Sequence, residues 1–324
     1  METARKALGV FLVFVFALFS GDSTAQSYPN RPIKFVVAYP PGGANDILAR
    51  VVAPKLSERL DQPVIVENKP GADGIIGTEF VAKSAPDGHT LLTGASGQMV
   101  FNTGLHAKLP YDPAKDFIPI TMFYSEPLVF AVHPSVPANS IRELIALAKA
   151  RPGEMFYASA AAPFYVATEH FKKLAGVNIV HVPYKGTAQA VIGTVAGETS
   201  LVVMTAGSLL SQLRAGKLRA LAVTGTKRDP ANPDIPAMAE SGLDFEGVSW
   251  TGLFAPAGTP SAIIDKLYSE LSVVLKSDSI KERYASLGYG TSVLGISPVD
   301  FETFFRAELV KWTQVIRDLN LRAN

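Results

Sequence analysis

The chain has no cysteine among its 324 residues. That absence excludes a disulfide scaffold, a thiolate metal centre and a cysteine nucleophile. It has almost no charge bias, because 30 basic and 29 acidic residues leave a formal net charge of +1. No basic stretch is dense enough to track a phosphate backbone, so nucleic acid is not an expected partner. The five histidines show neither HxH nor HxxxH spacing, so no metal and no cofactor is expected. No paired general acid and base stands in a recognisable motif, so no catalytic residues are assigned.

Long apolar runs are also missing. The N-terminal run, Ala7 to Phe19, covers 13 residues, short of the roughly 20 that span a bilayer as a helix. Arg5-Lys6 precede it, and Ser23 and Ala25 stand at the minus-three and minus-one positions of a cut after Ala25. This is the pattern of a secretory signal peptide, residues 1–25, and it predicts a periplasmic product beginning at Gln26. With 48% hydrophobic residues, such a product can build a core without disulfides.

Short apolar runs then alternate with helical patterns. Strands are expected at Ile33–Ala38, Pro63–Glu67 and Thr90–Thr93, with helices at Ala44–Leu60 and from Ile76 to Ser84. Prolines 110, 113 and 119 mark a loop-rich stretch before a strand at Leu128–Val132. A second set of units follows, with strands at Phe156–Ser159, Ile179–Val182, Leu201–Met204 and Arg219–Thr224. Between them lie helices at Ser140–Ala150, Thr168–Leu174, Thr187–Val195 and Leu209–Ala215. A strand-like Ser249–Ala255 and helices at Pro260–Ser277 and Ser297–Leu319 complete the chain. The βα rhythm predicts an α/β protein with mostly parallel sheets, and the two sets predict two lobes.

Ligands of open α/β sheets bind beyond the carboxyl ends of the strands, so the turns after Ala38, Thr93, Ser159, Val182 and Met204 carry the candidates. Phe35-Val-Val-Ala-Tyr-Pro-Pro-Gly-Gly-Ala-Asn-Asp46 is the most informative of them. A strand breaks at a stiff Pro-Pro-Gly-Gly turn and a helix begins, which aims backbone N–H groups and a positive dipole end at one mouth. The spacing is neither GxxxxGK[ST] nor GxGxxG, so a nucleotide is not supported. A plain βα turn fits the same residues, and both readings stand.

Tyr157-Ala-Ser-Ala-Ala-Ala-Pro-Phe-Tyr165 places small residues after a strand, where a ligand can approach the backbone, and then two aromatic surfaces at Phe164 and Tyr165. A helix start with buried aromatics is the alternative. His181-Val-Pro-Tyr-Lys-Gly-Thr187 could face an anion with Lys185, or be a turn with a solvated lysine. Ser96, in Gly94-Ala-Ser-Gly97, lacks GxSxG spacing, and Gly71-Ala-Asp-Gly-Ile-Ile-Gly77 is a weak phosphate-loop lookalike.

Several stretches together resemble a known family. They include Tyr28-Pro-Asn-Arg-Pro-Ile-Lys34, Pro40-Pro-Gly-Gly-Ala-Asn-Asp46, Pro63-Val-Ile-Val-Glu-Asn-Lys-Pro-Gly-Ala72, Ala85-Pro-Asp-Gly-His-Thr-Leu-Leu92, Val180-His-Val-Pro-Tyr-Lys-Gly186 and Leu253-Phe-Ala-Pro-Ala-Gly-Thr-Pro260. They run in order along the chain. It resembles the extracytoplasmic receptors of tripartite tricarboxylate transporters, the Bug family.

The resemblance implies a type II periplasmic binding protein, a Venus flytrap. One lobe would hold residues 26–126 and 250–324, the other 127–249. It implies no enzyme but a monomeric receptor that captures a small organic carboxylate for membrane transporter subunits. An exported α/β enzyme, or a sensor subunit serving a receptor kinase, is the alternative. The implied clamps are Tyr39, Pro41, Gly42, Gly43, Ala44 and Asp46 on one side and Ser159, Ala160 and Ala161 on the other. Ser96, Phe164, Tyr165, Lys185 and Thr205 complete the candidate ligand-binding set. Asp46 is expected to brace its turn rather than touch an anion.

The family commonly has a Ser/Gly-rich turn and a histidine after Tyr-Ala-Ser, where this chain has Ala160-Ala-Ala-Pro-Phe-Tyr165. It often has an aromatic-Asp-Asn stretch where this chain has Thr205-Ala-Gly207. Fewer donors and more aromatic surface predict a less polar acid than citrate, an aromatic carboxylate or dicarboxylate stacked near Phe164, Tyr165 or Tyr39.

Overall fold

The computed structural model describes residues 28–230, 232–289 and 295–322. The expected signal peptide lies outside the described residues. Met1–Asn30 is a unit separate from Arg31–Asn324, and the fold that follows is that of the second unit.

The β-branched run Ile33–Val37 forms β1, buried at four of its five positions. It pairs in parallel with β2 (Val64–Asn68) and β3 (Thr90–Ala95). The connections are helices, α1 (Ala44–Leu60) and α2 (Ile75–Ala82), as parallel pairing requires. A short helical segment, Gly97–Phe101, runs into α3 (Asn102–Leu105).

Residues Phe117–Val132 form one 16-residue strand, β4. Prolines 119 and 127 lie inside it and supply no ladder N–H, which is why its first eleven residues read as loop in the sequence. The strand tolerates Pro119 because the register shifts beside it, between Pro119 and Thr121. From Phe117 to Pro127, β4 pairs antiparallel with β9 (Val248–Pro256), which in turn pairs antiparallel with β3. From Leu128 onward it pairs with β7 (Leu201–Thr205) on one side and β8 (Arg219–Val223) on the other. Beyond β7 lie β5 (Phe156–Ser159) and β6 (Val180–Pro183), both in parallel pairings. Each end of the molecule thus has three parallel strands, β2-β1-β3 and β7-β5-β6, and β4 runs through both.

The intervening helices are α4 (Ile141–Ala150), α5 (Ala162–Ala175), α6 (Thr187–Val195) and α7 (Ala206–Arg214). Helices α8 (Ser261–Lys276), α9 (Asp278–Ser286) and α10 (Pro298–Asp318) follow β9. The cap expected on α4 is present: the Ser140 hydroxyl accepts the Glu143 N–H at 3.2 Å. The Glu143 carboxylate reaches one residue further back than a capping box requires, to the Asn139 N–H at 2.8 Å.

Two of the apolar cores among the described residues concern the candidate turns. One draws only on residues between Leu128 and Phe245. The other combines Val36, Leu92 and Phe254 with Phe301, Phe305 and Trp312 of α10. Helix α5 begins at Ala162, six residues before the expected Thr168, and this extra turn matters. Ala162 and Val166 pack into the second core while Phe164 and Ala167 pack into the first. Tyr165 borders both.

Candidate functional site

The turn after β1 is held from below. Asp46 is 3% exposed. Its carboxylate accepts the Gly42 N–H at 2.9 Å, the Arg50 Nε–H at 3.0 Å and the Asn68 Nδ2–H at 2.9 Å. Asn68 also donates to the Tyr39 carbonyl at 3.1 Å, which ties both ends of the turn to one point. Burial pushes the Asp46 carboxyl up, but the hydrogen bonds from Arg50, Gly42 and Asn68 outweigh it and hold the group below the usual carboxylate range.

Gly42 has a left-handed φ of 83°; a Cβ there would meet nothing within 4 Å, so conformation, not space, demands glycine. No side chain caps α1 at Gly43. The first-turn N–H groups of a helix have no partner of their own, and here they lie behind exposed Pro41, Gly42 and Gly43 and half-buried Ala44.

Tyr39 leaves β1 sideways. Its ring is wedged between Gly74 and Gly97: a Cβ on Gly74 would lie 3.2 Å from Tyr39 Cζ, and one on Gly97 2.6 Å from its hydroxyl. The hydroxyl points at the Asp73 carbonyl at 3.5 Å, and burial followed by the Asp73 charge raises its pKa well above normal. Ser96, at the end of β3, is 1% exposed, and its Oγ has no hydrogen-bond partner. Next to it, Ala95 pairs with Thr251 of β9, whose hydroxyl donates to Asn45 Oδ1 at 2.5 Å. This bond fixes the start of α1 against the sheet.

The second turn follows β5. Ser159 Oγ meets His181 Nε2 at 2.7 Å. The His181 ring lies between Tyr157 and Tyr165, at 4.9 and 4.7 Å, and its burial lowers its pKa. Half-buried Ala160 and Ala161 lead into α5, which no side chain of its own caps. Ala162, its first residue, packs instead into the core that holds Val36, Leu92 and Phe254. Pro163 approaches the same place; its Cδ would be 3.7 Å from a Cβ on Gly97.

Asp73 keeps access to solvent. The protein around it nevertheless raises its carboxyl pKa through desolvation, against the pull of His106. In the sequence Asp73 stands only within the weak phosphate-loop lookalike Gly71–Gly77.

Phe164 does not belong to this surface. It is 7% exposed and packs in the core of the second half, because helix phase turns it inward while Tyr165 faces the seam. Tyr39 is spent as a wedge. Of the three expected stacking rings, Tyr165 is the one left at the seam.

Thr205 is 3% exposed at the start of α7, with its hydroxyl 2.9 Å from that of Ser208. The small residues after it have a steric cause: a Cβ on Gly207 would lie 3.2 Å from the Gly288 carbonyl. Lys185 stands exposed ahead of α6, and no described contact brings it to the other candidates.

Two α/β halves linked through β4, each with a turn at the carboxyl end of a parallel strand, have the architecture of a solute-binding protein. Comparison with known proteins agrees. The model of the tripartite tricarboxylate transporter family receptor matches residues 48–321. Protein BugT of Bordetella pertussis is 36% identical over 322 residues, 98% of each chain. Among solved structures, Rpa4515 of R. palustris with adipate superposes with a TM-score of 0.84 at 34% identity, over 91% of this chain and 99% of that one. MatC from Rhodopseudomonas palustris with bound malate gives 0.80 at 30% identity, over 89% and 100%. The chain belongs to the tripartite tricarboxylate transporter receptor family, whose members are solute-binding receptors and not enzymes.

Proposed function

We propose that this protein captures a small organic carboxylate in the periplasm and delivers it to membrane subunits of a tripartite transporter. The observation that carries this reading is the turn after β1. Asp46 and Asn68 hold it rigid from behind, while the uncapped N-terminus of α1 offers backbone donors in front. A preorganised turn loses little entropy on binding, and a helix N-terminus favours an anion. Adipate and malate, bound in two similar structures, support the same ligand class here.

In this reading the lobes are residues 26–126 with 250–324, and 127–249, and the hinge lies where β4 passes from its pairing with β9 to its pairing with β7 and β8. Closure brings Ser159–Ala161 and Tyr165 onto a ligand held by Tyr39, Pro41–Ala44 and Ser96. The site is short of charged side chains, which favours acids with an apolar body, including aromatic ones seated against Tyr165.

A thermal-shift panel tests this reading. Hexanoate or benzoate should stabilise the protein more than citrate, because a ligand bound only to the native state raises apparent stability. Stabilisation by citrate alone would overturn it. Recovery of the acid chemically unchanged separates a receptor from an enzyme, and a membrane pull-down that returns only a receptor kinase would replace transport with sensing.

A further inference from the structure

The serine at the head of the second turn is bound to a histidine that the clamp itself does not include. Ser159 ends β5 and is 3% exposed, and its Oγ lies 2.7 Å from His181 Nε2. Neighbouring rings hold the imidazole in place. In the parallel pairing of β5 with β6, Tyr157 stands opposite His181, and the two rings stack at 4.9 Å with 25° between their planes. Tyr165, on α5, meets the same imidazole at 4.7 Å. A ring in contact with two others has little freedom to turn its Nε2 away from Ser159.

The charge on the imidazole decides what the serine hydroxyl can do. An unprotonated ring nitrogen accepts the Ser159 O–H, and that proton is then spent on the ring. An imidazolium carries a proton on both nitrogens and only donates. Its Nε2–H then bonds the Ser159 Oγ, and the hydroxyl proton is free for another acceptor. The titratable and charged groups around the ring are Tyr157 on β5 and Tyr165, Glu169 and Lys172 on α5. Glu169 is engaged by Lys172 at 2.7 Å and by the Tyr157 hydroxyl at 2.6 Å, so the two opposite charges offset each other at the ring. Burial is the largest influence, and it keeps the ring neutral to a lower pH than an ordinary histidine.

We propose that His181 is a positioning residue for the ligand: its protonation releases the Ser159 hydroxyl proton from the ring to the ligand carboxylate, so the site holds its acid more tightly as pH falls. The assignment rests on the carboxylate reading above, with Ser159 in the second clamp, and adds the regulation of that site. The coupling has a definite sign. An anion beside the Ser159–His181 pair favours the charged ring. Binding therefore takes up a proton, and by reciprocity affinity is lost as pH rises through the titration of His181.

Isothermal titration of the full chain with benzoate and with hexanoate tests it, at about pH 8 and about pH 5.5, where carboxylates remain largely ionised and an imidazole titrates. Wild-type affinity should rise about threefold or more at the lower pH, the effect of an opposite charge on a ring that is partly titrated there. His181→Gln offers Ser159 an uncharged amide partner; it should bind as the wild type does at the higher pH and show no rise at the lower one. His181→Phe keeps an aromatic ring against Tyr157 and Tyr165 without Nε2, and should lose the rise as well. A purely structural role would change affinity at both pH values and leave the rise in place. A wild-type affinity that does not rise on acidification, or a rise that survives in folded His181→Gln, overturns the role of His181 alone. If neither acid binds at either pH, the carboxylate reading itself falls, and the proposal with it.

Discussion

Replacing Asp46 by alanine probes the brace beneath the first turn. The substitution removes the acceptor for Gly42, Arg50 and Asn68 at once. The Arg50 side chain is half exposed, so its share is that of a surface ion pair, about 0–1 kcal/mol. The bonds from Gly42 and Asn68 end on a charged oxygen, and such bonds contribute about 1.5–3 kcal/mol each. Gly42 is exposed, so water replaces part of its loss. The expected cost is roughly 2–4 kcal/mol, read as a lower urea midpoint with an unchanged slope.

The cost depends on pH with a definite sign. The folded pKa of Asp46 is depressed, so its stabilisation is present above the unfolded carboxylate pKa of about 3.9. It is lost as pH falls through the lower folded value. The gap between wild type and Asp46→Ala should therefore be full at pH 7 and shrink below about pH 4. A gap under about 0.5 kcal/mol at pH 7, the size of a neutral surface change, or a gap that widens with acid, would refute the brace.

Three further outcomes follow from the packing. Gly97→Ala should destabilise by about 1–3 kcal/mol, because its Cβ would lie 2.6 Å from the Tyr39 hydroxyl; Tyr39→Phe in the same chain should recover part of that loss in a double-mutant cycle. Phe164→Ala should cost about 3–5 kcal/mol in denaturation without altering the ranking of bound acids, since the ring is buried in a core; a changed ranking would return it to the site. Thr224→Val should cost about 1–3 kcal/mol, because the buried Thr224 hydroxyl accepts the Leu128 N–H at 2.8 Å and donates to the Gly247 carbonyl; chemical denaturation at neutral pH measures it.

Local order made the first clamp legible in the sequence. An apolar β-branched run, a Pro-Pro-Gly-Gly break and an aspartate four residues beyond Gly42 are all short-range signals, and the structure uses them within one turn of chain. The same holds for the cap at Ser140. The strand at Phe117–Pro127 was illegible for an equally local reason. Its prolines mark a loop, and only pairing with β9, distant in sequence, makes a bulged strand the better state.

The amino-acid sequence by itself determined the alternation of strands and helices, the sharp turn after β1 and the exclusion of disulfides, because each depends on residue type or on neighbours within a few positions. The tertiary structure alone decided that Phe164 faces a core while Tyr165 borders both cores, and that Tyr39 is wedged between two glycines. Those outcomes depend on how one half of the molecule packs against the other, and contacts between distant segments leave no periodicity in a sequence.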